Sequence, residues 1–350
     1  MNVVDRISKL DPYIPSNRDF DSKNWSYCDW NESQFSPSPL VISSIEDFLL
    51  NGNIEKYPCT NNKELLELLS DYTGLQTENI TVYNGSDDAL KDIFLSFADQ
   101  QTKIVTYCPS YTQVDTFIAM STNIHQKHPI KDPLGDHEYD FEVLKNYDIA
   151  YLANPNNPTG HIIEKDVIEQ IISSNPNTIF IIDEAYYEFS QVSCSDLVLK
   201  YDNIIITRTF SKAFGLASLR IGYALGPKEK ISFLNKIKNV KSINSIAQVA
   251  AIACLKDLNY LNKCVAETKQ SRKLLEDYID KSEHLSCAKS HSNFVLVKTN
   301  SSERVIKKMI ENKISIRDRS SFKNLNNCIR ITVGSLETTK RIIEVLESTK

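Results

Sequence analysis

Ile204-Ile-Ile-Thr-Arg-Thr-Phe-Ser-Lys-Ala-Phe-Gly-Leu-Ala-Ser-Leu-Arg220 opens on three isoleucines and closes on hydroxyls, one lysine, small residues and an arginine. The isoleucine run reads as a buried strand, placed at Asn203–Thr207. The same texture recurs upstream and downstream of it, at Lys103–Tyr107, Asp148–Leu152, Thr178–Ile182 and Arg220–Leu225. Stretches of helical period lie between these runs, among them Ser86–Phe97 and Glu164–Ser173. Short apolar strands alternating with longer helical segments predict an α/β fold built on a mainly parallel sheet.

After Pro227 the pattern changes. A long helical stretch from Lys228 to Asp280, with interruptions, leads to a strand at Phe294–Lys298 and a helix near Ser302–Asn312. A strand at Cys328–Val333 and a last helix from Leu336 complete a smaller α+β domain. The polar first thirty residues, with Pro12 and Pro15, read as an extended arm. The expected division is an arm at 1–30, a large domain at 31–240 and a small domain at 241–350.

The bulk numbers narrow the function. The chain has 350 residues, and its net charge of −5 supplies no electrostatic reason to bind nucleic acid or an anionic membrane. No apolar run approaches transmembrane length, and the N-terminus lacks the apolar stretch of a signal peptide, so a cytoplasmic protein is expected. The eight cysteines are scattered without a C-x-x-C pair, and His125 and His128 have no further ligand at metal spacing, so no metal site is expected. Nine glycines form neither a G-x-G-x-x-G nor a P-loop, which removes support for a dinucleotide or ATP site.

Four segments carry chemistry. Lys212, just past an apolar strand and among Ser, Ala and Phe, has its charged form disfavoured, which suits a nucleophile toward an aldehyde. Thr209, Ser211 and Arg220 supply donors for a phosphate beside it. The alternative is a surface lysine at a strand end. Asp183 ends the strand Thr178–Ile182, where open α/β sheets bind ligands, and can keep a pyridine nitrogen protonated; it can equally cap a helix. Tyr186, three residues on, either bonds a ring hydroxyl or packs in the core. Asn154-Pro-Asn-Asn-Pro-Thr-Gly160 enforces a rigid turn past another strand, from which Asn157 can present its amide. In Tyr83-Asn-Gly-Ser-Asp-Asp-Ala-Leu90, Gly85 permits a bend and Ser86-Asp87 opens a helix, a point suited to an anion. Tyr111 offers an aromatic face for stacking or for core packing.

Taken in order, N-G-S-D-D-A, N-P-N-N-P-T-G, D-E-A-Y and T-F-S-K-A-F-G-L-A-S-L-R resemble the fold-type I pyridoxal-5′-phosphate (PLP) aminotransferases, most of all histidinol-phosphate aminotransferase. The resemblance extends to Leu10-Asp-Pro-Tyr-Ile-Pro15, Asn31-Glu32, Lys56-Tyr57-Pro58, Ile316-Arg-Asp-Arg-Ser320 and Cys328-Ile-Arg-Ile-Thr-Val-Gly334. It implies a seven-stranded sheet in the large domain and a Schiff base between PLP and Lys212, which also shuttles the proton. It further implies Asp183 at the pyridine nitrogen, Asn157 and Tyr186 at the 3-hydroxyl, and Tyr111 stacked on the ring. Gly85, Ser86, Asp87, Thr209, Ser211 and Arg220 surround the phosphate. Tyr57 reaches the site from a second subunit, so a homodimer is implied, with the arm crossing to the partner site. The resemblance places Arg330 at the substrate carboxylate and Tyr13, Asn31 and Arg317 around the substrate, Tyr13 and Arg317 at its phosphorylated end; Arg319 departs from the family pattern and adds a positive charge near Arg317.

The implied reaction moves an amino group between glutamate and a small phosphorylated acceptor, histidinol phosphate and its ketone first. Alternatives on the same fold are a decarboxylase similar to threonine-phosphate decarboxylase, or an aminotransferase for another phosphorylated or phosphonylated amine. A PLP-binding regulator would add a DNA-binding domain, for which this chain has neither room nor a basic patch.

Overall fold

The computed structural model describes residues 24–349 and the single residue Ile7. Seven strands form the large sheet: β2 (Ile80–Tyr83), β3 (Ile104–Cys108), β4 (His125–Pro129), β5 (Ile149–Ala153), β6 (Ile179–Asp183), β7 (Ile204–Thr209) and β8 (Gly222–Leu225). Their spatial order is β2-β8-β7-β6-β5-β3-β4. The pairs β4–β3, β3–β5, β5–β6 and β6–β7 are parallel, and β8 runs antiparallel to both β7 and β2. The order reverses between β3 and β5, so the carboxyl ends of β3, β5, β6 and β7 face one crevice.

The isoleucine runs are explained by two covered faces. Phe180, Ile182, Ile204 and Ile206 pack into one core with Ala150 and Leu152. Ile181, Ile205, Ile149 and Tyr151 pack into the other, under the helices Ser86–Phe97 and Lys228–Ile237. A strand buried on both sides loses the alternating pattern and becomes continuously apolar. That parity also places Asp183 on the Tyr151 side, since residues two apart in a strand share a face.

The second sheet has five strands in the order β1-β11-β12-β10-β9. They are β1 (Ser26–Cys28), β9 (Leu285–Cys287), β10 (Phe294–Thr299), β11 (Ile314–Asp318) and β12 (Cys328–Thr332). Ile329, Ile331, Ile314 and Ile316 face a core closed by Val305, Met309, Ile342 and Leu346 of two helices. Arg330 and Thr332 therefore point to the opposite face, and Arg317 sits beside Arg330 in the register of β11 and β12.

Two boundaries differ from the sequence-based expectation. The core of the large sheet continues past residue 240: Ile243, Ala247, Ala251, Leu261 and Val265 all belong to it. The helix Leu258–Ile279 then passes without a break into the small-sheet core, where Leu275 and Ile279 pack. The segment from Ser26 also leaves the expected arm, pairing with β11 as a parallel strand and burying Cys28 in the small core. The rest of the expected arm, with Tyr13, lies outside the described residues.

Candidate active site

A cavity of about 440 Å³ lies between the crevice of the large sheet and the open face of the small one. Asp183 enters it from the end of β6. Tyr151 Oη donates to its Oδ2 at 2.8 Å and Thr207 Oγ1 to its Oδ1 at 3.2 Å, and the backbone N–H of Ala185 donates to Oδ1 at 3.2 Å. Burial pushes the carboxyl up to about 6 despite these donors, so it is charged near neutrality but held at a cost that a nearby cation would relieve.

Lys212 sits three residues beyond β7. Its Nζ donates to the Trp30 carbonyl at 2.9 Å and lies 5.9 Å from the Tyr186 ring centroid. Burial first, and the Arg330 charge second, bring its amine down to about 8. An ammonium that deprotonates there has a working fraction of free amine near neutral pH. The surface-lysine alternative is thereby excluded: Lys212 lines the cavity.

The anion cradle is built by close backbone approach. Gly85 caps the helix Ser86–Phe97 with φ +87°, a conformation that disfavours any side chain, and supplies no side-chain cap to the first-turn N–H groups. A Cβ on Gly85 would stand 2.8 Å from Arg220 Nη2, and one on Gly222 would stand 2.7 Å from the Ser86 nitrogen. Arg220 Nη1 donates to Ser211 Oγ at 3.3 Å, and the Thr209 hydroxyl accepts from the Ser211 N–H at 3.1 Å. Asp87 directs its carboxylate to the Tyr111 hydroxyl (2.8 Å) and to Arg220 Nη2 (3.4 Å).

Tyr186 packs edge-on against Phe294 at 5.1 Å and accepts a hydrogen bond from Asn31 Nδ2 at 2.9 Å; burial raises its phenol. Asn31, held in the left-handed region at φ 56°, is fixed by Thr332: the Asn31 N–H donates to Thr332 Oγ1 at 3.0 Å, and that hydroxyl donates to Asn31 Oδ1 at 3.1 Å. Asn157, on the turn after β5, accepts from Arg330 Nη1 at 2.6 Å; Arg330 Nη2 donates to the Asp29 carbonyl at 2.5 Å. Arg330 is thus locked between the two sheets.

Of the residues expected from the sequence, Ser86, Asp87, Tyr111, Asn157, Asp183, Tyr186, Thr209, Ser211, Lys212, Arg220, Asn31, Arg317 and Arg330 all line this cavity. Gly85 shapes it from behind Arg220. Tyr57 does not line it: its side chain is exposed, with Lys241 Nζ 4.1 Å from the ring centroid. Tyr13 lies outside the described residues. Sequence reasoning passed over Tyr151 and Thr207, which orient Asp183, and Trp30, Asp29 and Phe322, which line the cavity. For Tyr151 and Thr207 a signal existed: each lies on a strand neighbouring Asp183, at the same end of the sheet.

The profile of the aminotransferase class I and II family matches residues 27–346. A dihydroxyacetone phosphate transaminase of Campylobacter jejuni is 36% identical, over 99% of this chain and 97% of that protein. A histidinol-phosphate aminotransferase of Methanocaldococcus jannaschii is 31% identical, over 99% of this chain and 96% of its own length. Among solved structures, histidinol-phosphate aminotransferase from Sinorhizobium meliloti in complex with PLP superposes with a TM-score of 0.87 at 26% identity, covering 99% of this chain and 98% of that one. The chain belongs to the class I and II aminotransferases, and its fold is that of the fold-type I PLP enzymes.

PLP is the cofactor of these enzymes, and the residues present fit it. The site offers an amine lowered to about 8, a buried carboxyl awaiting a cation, and a helix N-terminus cradle closed by Arg220. Each answers one group of PLP: the aldehyde, the pyridine nitrogen and the phosphate.

Proposed function

We propose that this aminotransferase carries an amino group between glutamate and a small phosphorylated ketone, with histidinol phosphate and imidazole-acetol phosphate the first pair to test. The observation that carries the reading is the presence of Lys212, Arg317 and Arg330 on one cavity, which joins an amine nucleophile to two anion-binding groups. The name of the Campylobacter jejuni relative favours a second acceptor, dihydroxyacetone phosphate. Both acceptors place a ketone one carbon from a phosphate ester.

PLP supplies an aldehyde for the amino group and a cationic ring that withdraws electrons from the substrate Cα. Lys212 Nζ would hold the cofactor aldehyde, and as a free amine it is the group placed to take the Cα proton. Asp183 would keep the pyridine nitrogen protonated, its carboxylate fixed by Tyr151 and Thr207. Asn157 and Tyr186 would hold the 3-hydroxyl, and Tyr111 would offer its face to the ring. Ser86, Asp87, Thr209, Ser211 and Arg220 would hold the phosphate, the first two through backbone N–H groups. Arg330 binds the glutamate α-carboxylate, and Asn31 and Arg317 bind the rest of the substrate.

The working unit on this reading is a cytoplasmic homodimer in which Tyr57 and the arm with Tyr13 complete the partner's site. The exposure of Tyr57 supports it. Among the described residues no helix is long and apolar enough to cross a membrane, and none of the eight cysteines is in a disulfide.

Testing purified holoenzyme with glutamate and each phosphorylated ketone, following 2-oxoglutarate formation, checks the proposal. Amination of neither ketone would sink it. Release of carbon dioxide from a phosphorylated amino acid, without transfer to 2-oxoglutarate, would replace it with the decarboxylase.

A further inference from the structure

We infer that Arg319 is a specificity-determining residue that, with Arg317, reads the second negative charge of a phosphoryl group. The inference rests on the phosphorylated acceptor proposed above. Arg317 is the penultimate residue of β11 and Arg319 follows its last, continuing the line, since the Arg319 N–H donates to the Cys328 carbonyl at 2.8 Å and extends the ladder with β12. Residues two apart on an extended chain share a side. Arg317 and Arg319 accordingly both line the cavity, and Asp318 between them is exposed.

The Arg319 guanidinium lies 5.4 Å from the centroid of the Phe322 ring, which also lines the cavity and gives the long side chain an apolar support. The Arg319 charge reaches the interior, since together with Arg330 it acts to lower the Tyr186 phenol against burial. Arg330 is engaged by Asn157 and the Asp29 carbonyl, which fix its guanidinium. Two further guanidiniums, Arg317 beside it and Arg319, line the same cavity.

Two guanidiniums match a dianion. A phosphate monoester carries about −1.5 to −2 near neutral pH, with a second pKa near 6, and presents three acceptor oxygens. The side-chain carboxylate of glutamate carries a single charge, which Arg317 alone satisfies. Arg319 therefore separates the two substrates of one cavity: it adds to the phosphorylated partner and is nearly idle with glutamate.

The test uses the holoenzyme and measures the two half-reactions separately, glutamate with the PLP form and dihydroxyacetone phosphate or imidazole-acetol phosphate with the aminated form. Arg319→Gln is expected to lower kcat/KM for the phosphorylated ketone by roughly 10- to 100-fold, through KM, and to change the glutamate half-reaction by less than about threefold. Arg319→Lys restores part of the loss. In the wild type, KM for the ketone rises relative to that for 2-oxoglutarate as pH falls through about 6, and this rise is flattened in Arg319→Gln. Calorimetric titration of the holoenzyme with inorganic phosphate gives a readout without turnover, and its affinity falls in Arg319→Gln. Equal losses in both half-reactions, or an unchanged pH dependence, overturn the role of Arg319 alone. A wild type that aminates neither phosphorylated ketone overturns the proposed function, and this inference with it.

Discussion

Arg330→Gln isolates the electrostatic control of the reactive amine. Lys212 titrates near 8 because burial and the Arg330 charge both oppose its ammonium. Removing the charge leaves burial in place, so the amine moves up from about 8 but stays below its ordinary value. A rise of one unit corresponds to ~1.4 kcal/mol, the size of one Coulomb interaction across about 12 Å at an effective dielectric near 20. At pH 7.5 an amine titrating near 8 is about one-quarter free base, and a rise of one unit cuts that to about 3%. Capture of PLP by the apoenzyme, followed by stopped-flow absorbance, is therefore expected to slow roughly eightfold at pH 7.5. The gap closes above about pH 9.5, where the amine is mostly free in both proteins. The pH dependence matters because Arg330→Gln also removes donors from Asn157 and the Asp29 carbonyl, a folding cost of ~1–3 kcal/mol. Structural damage of that kind slows capture at every pH. A capture midpoint that does not move, or a loss uniform in pH, refutes the assignment of Arg330 as a regulator of Lys212.

Asp183→Asn is expected to lower transamination at least ~100-fold, since a neutral amide does not hold the ring nitrogen protonated. The Asp183 carboxyl is raised to about 6 in the folded protein, so its stability cost is absent at low pH and appears as pH rises from about 4 through 6. The apoenzyme of Asp183→Asn should thus lose this decline in a thermal melt series while losing activity. Gly85→Ala places a side chain at φ +87° and 2.8 Å from Arg220 Nη2. Equilibrium dialysis should show PLP held roughly tenfold more weakly, from ~1–2 kcal/mol of backbone strain and the displaced arginine. Thr332→Val breaks both hydrogen bonds between Thr332 and Asn31, loosening the amide that holds Tyr186. The expected result is a several-fold lower kcat with a Tm reduced by a few degrees, read by steady-state assay and calorimetry.

The parts of the site that could be read from sequence are those written in consecutive residues at strand ends. Asp183, Lys212, Asn157 and Tyr111 each follow an apolar run that a doubly covered parallel strand requires, and such strands end in one crevice. What escaped reading depends on contacts far apart in the chain. Asn31 and Thr332 are 301 residues apart yet bond twice, and Arg330 meets Asn157 across 173 residues. Trp30 and Asp29 belong to no motif, and their place follows only from β1 joining β11. The strand β4, His-Gln-Lys-His-Pro, went unread because it is an edge strand whose side chains are mostly outside the core. The helix Leu258–Ile279 serves both cores, so its apolar residues carry no mark of where one ends.

The central claim is that Lys212 holds PLP and that glutamate releases it. Borohydride reduction of the holoenzyme followed by peptide mass mapping tests this directly, performed before and after a single turnover with glutamate. The account predicts a phosphopyridoxyl group on Lys212 before glutamate, and its loss after glutamate with one equivalent of 2-oxoglutarate formed. Labelling of another lysine, or a Lys212 label that glutamate leaves untouched, contradicts it.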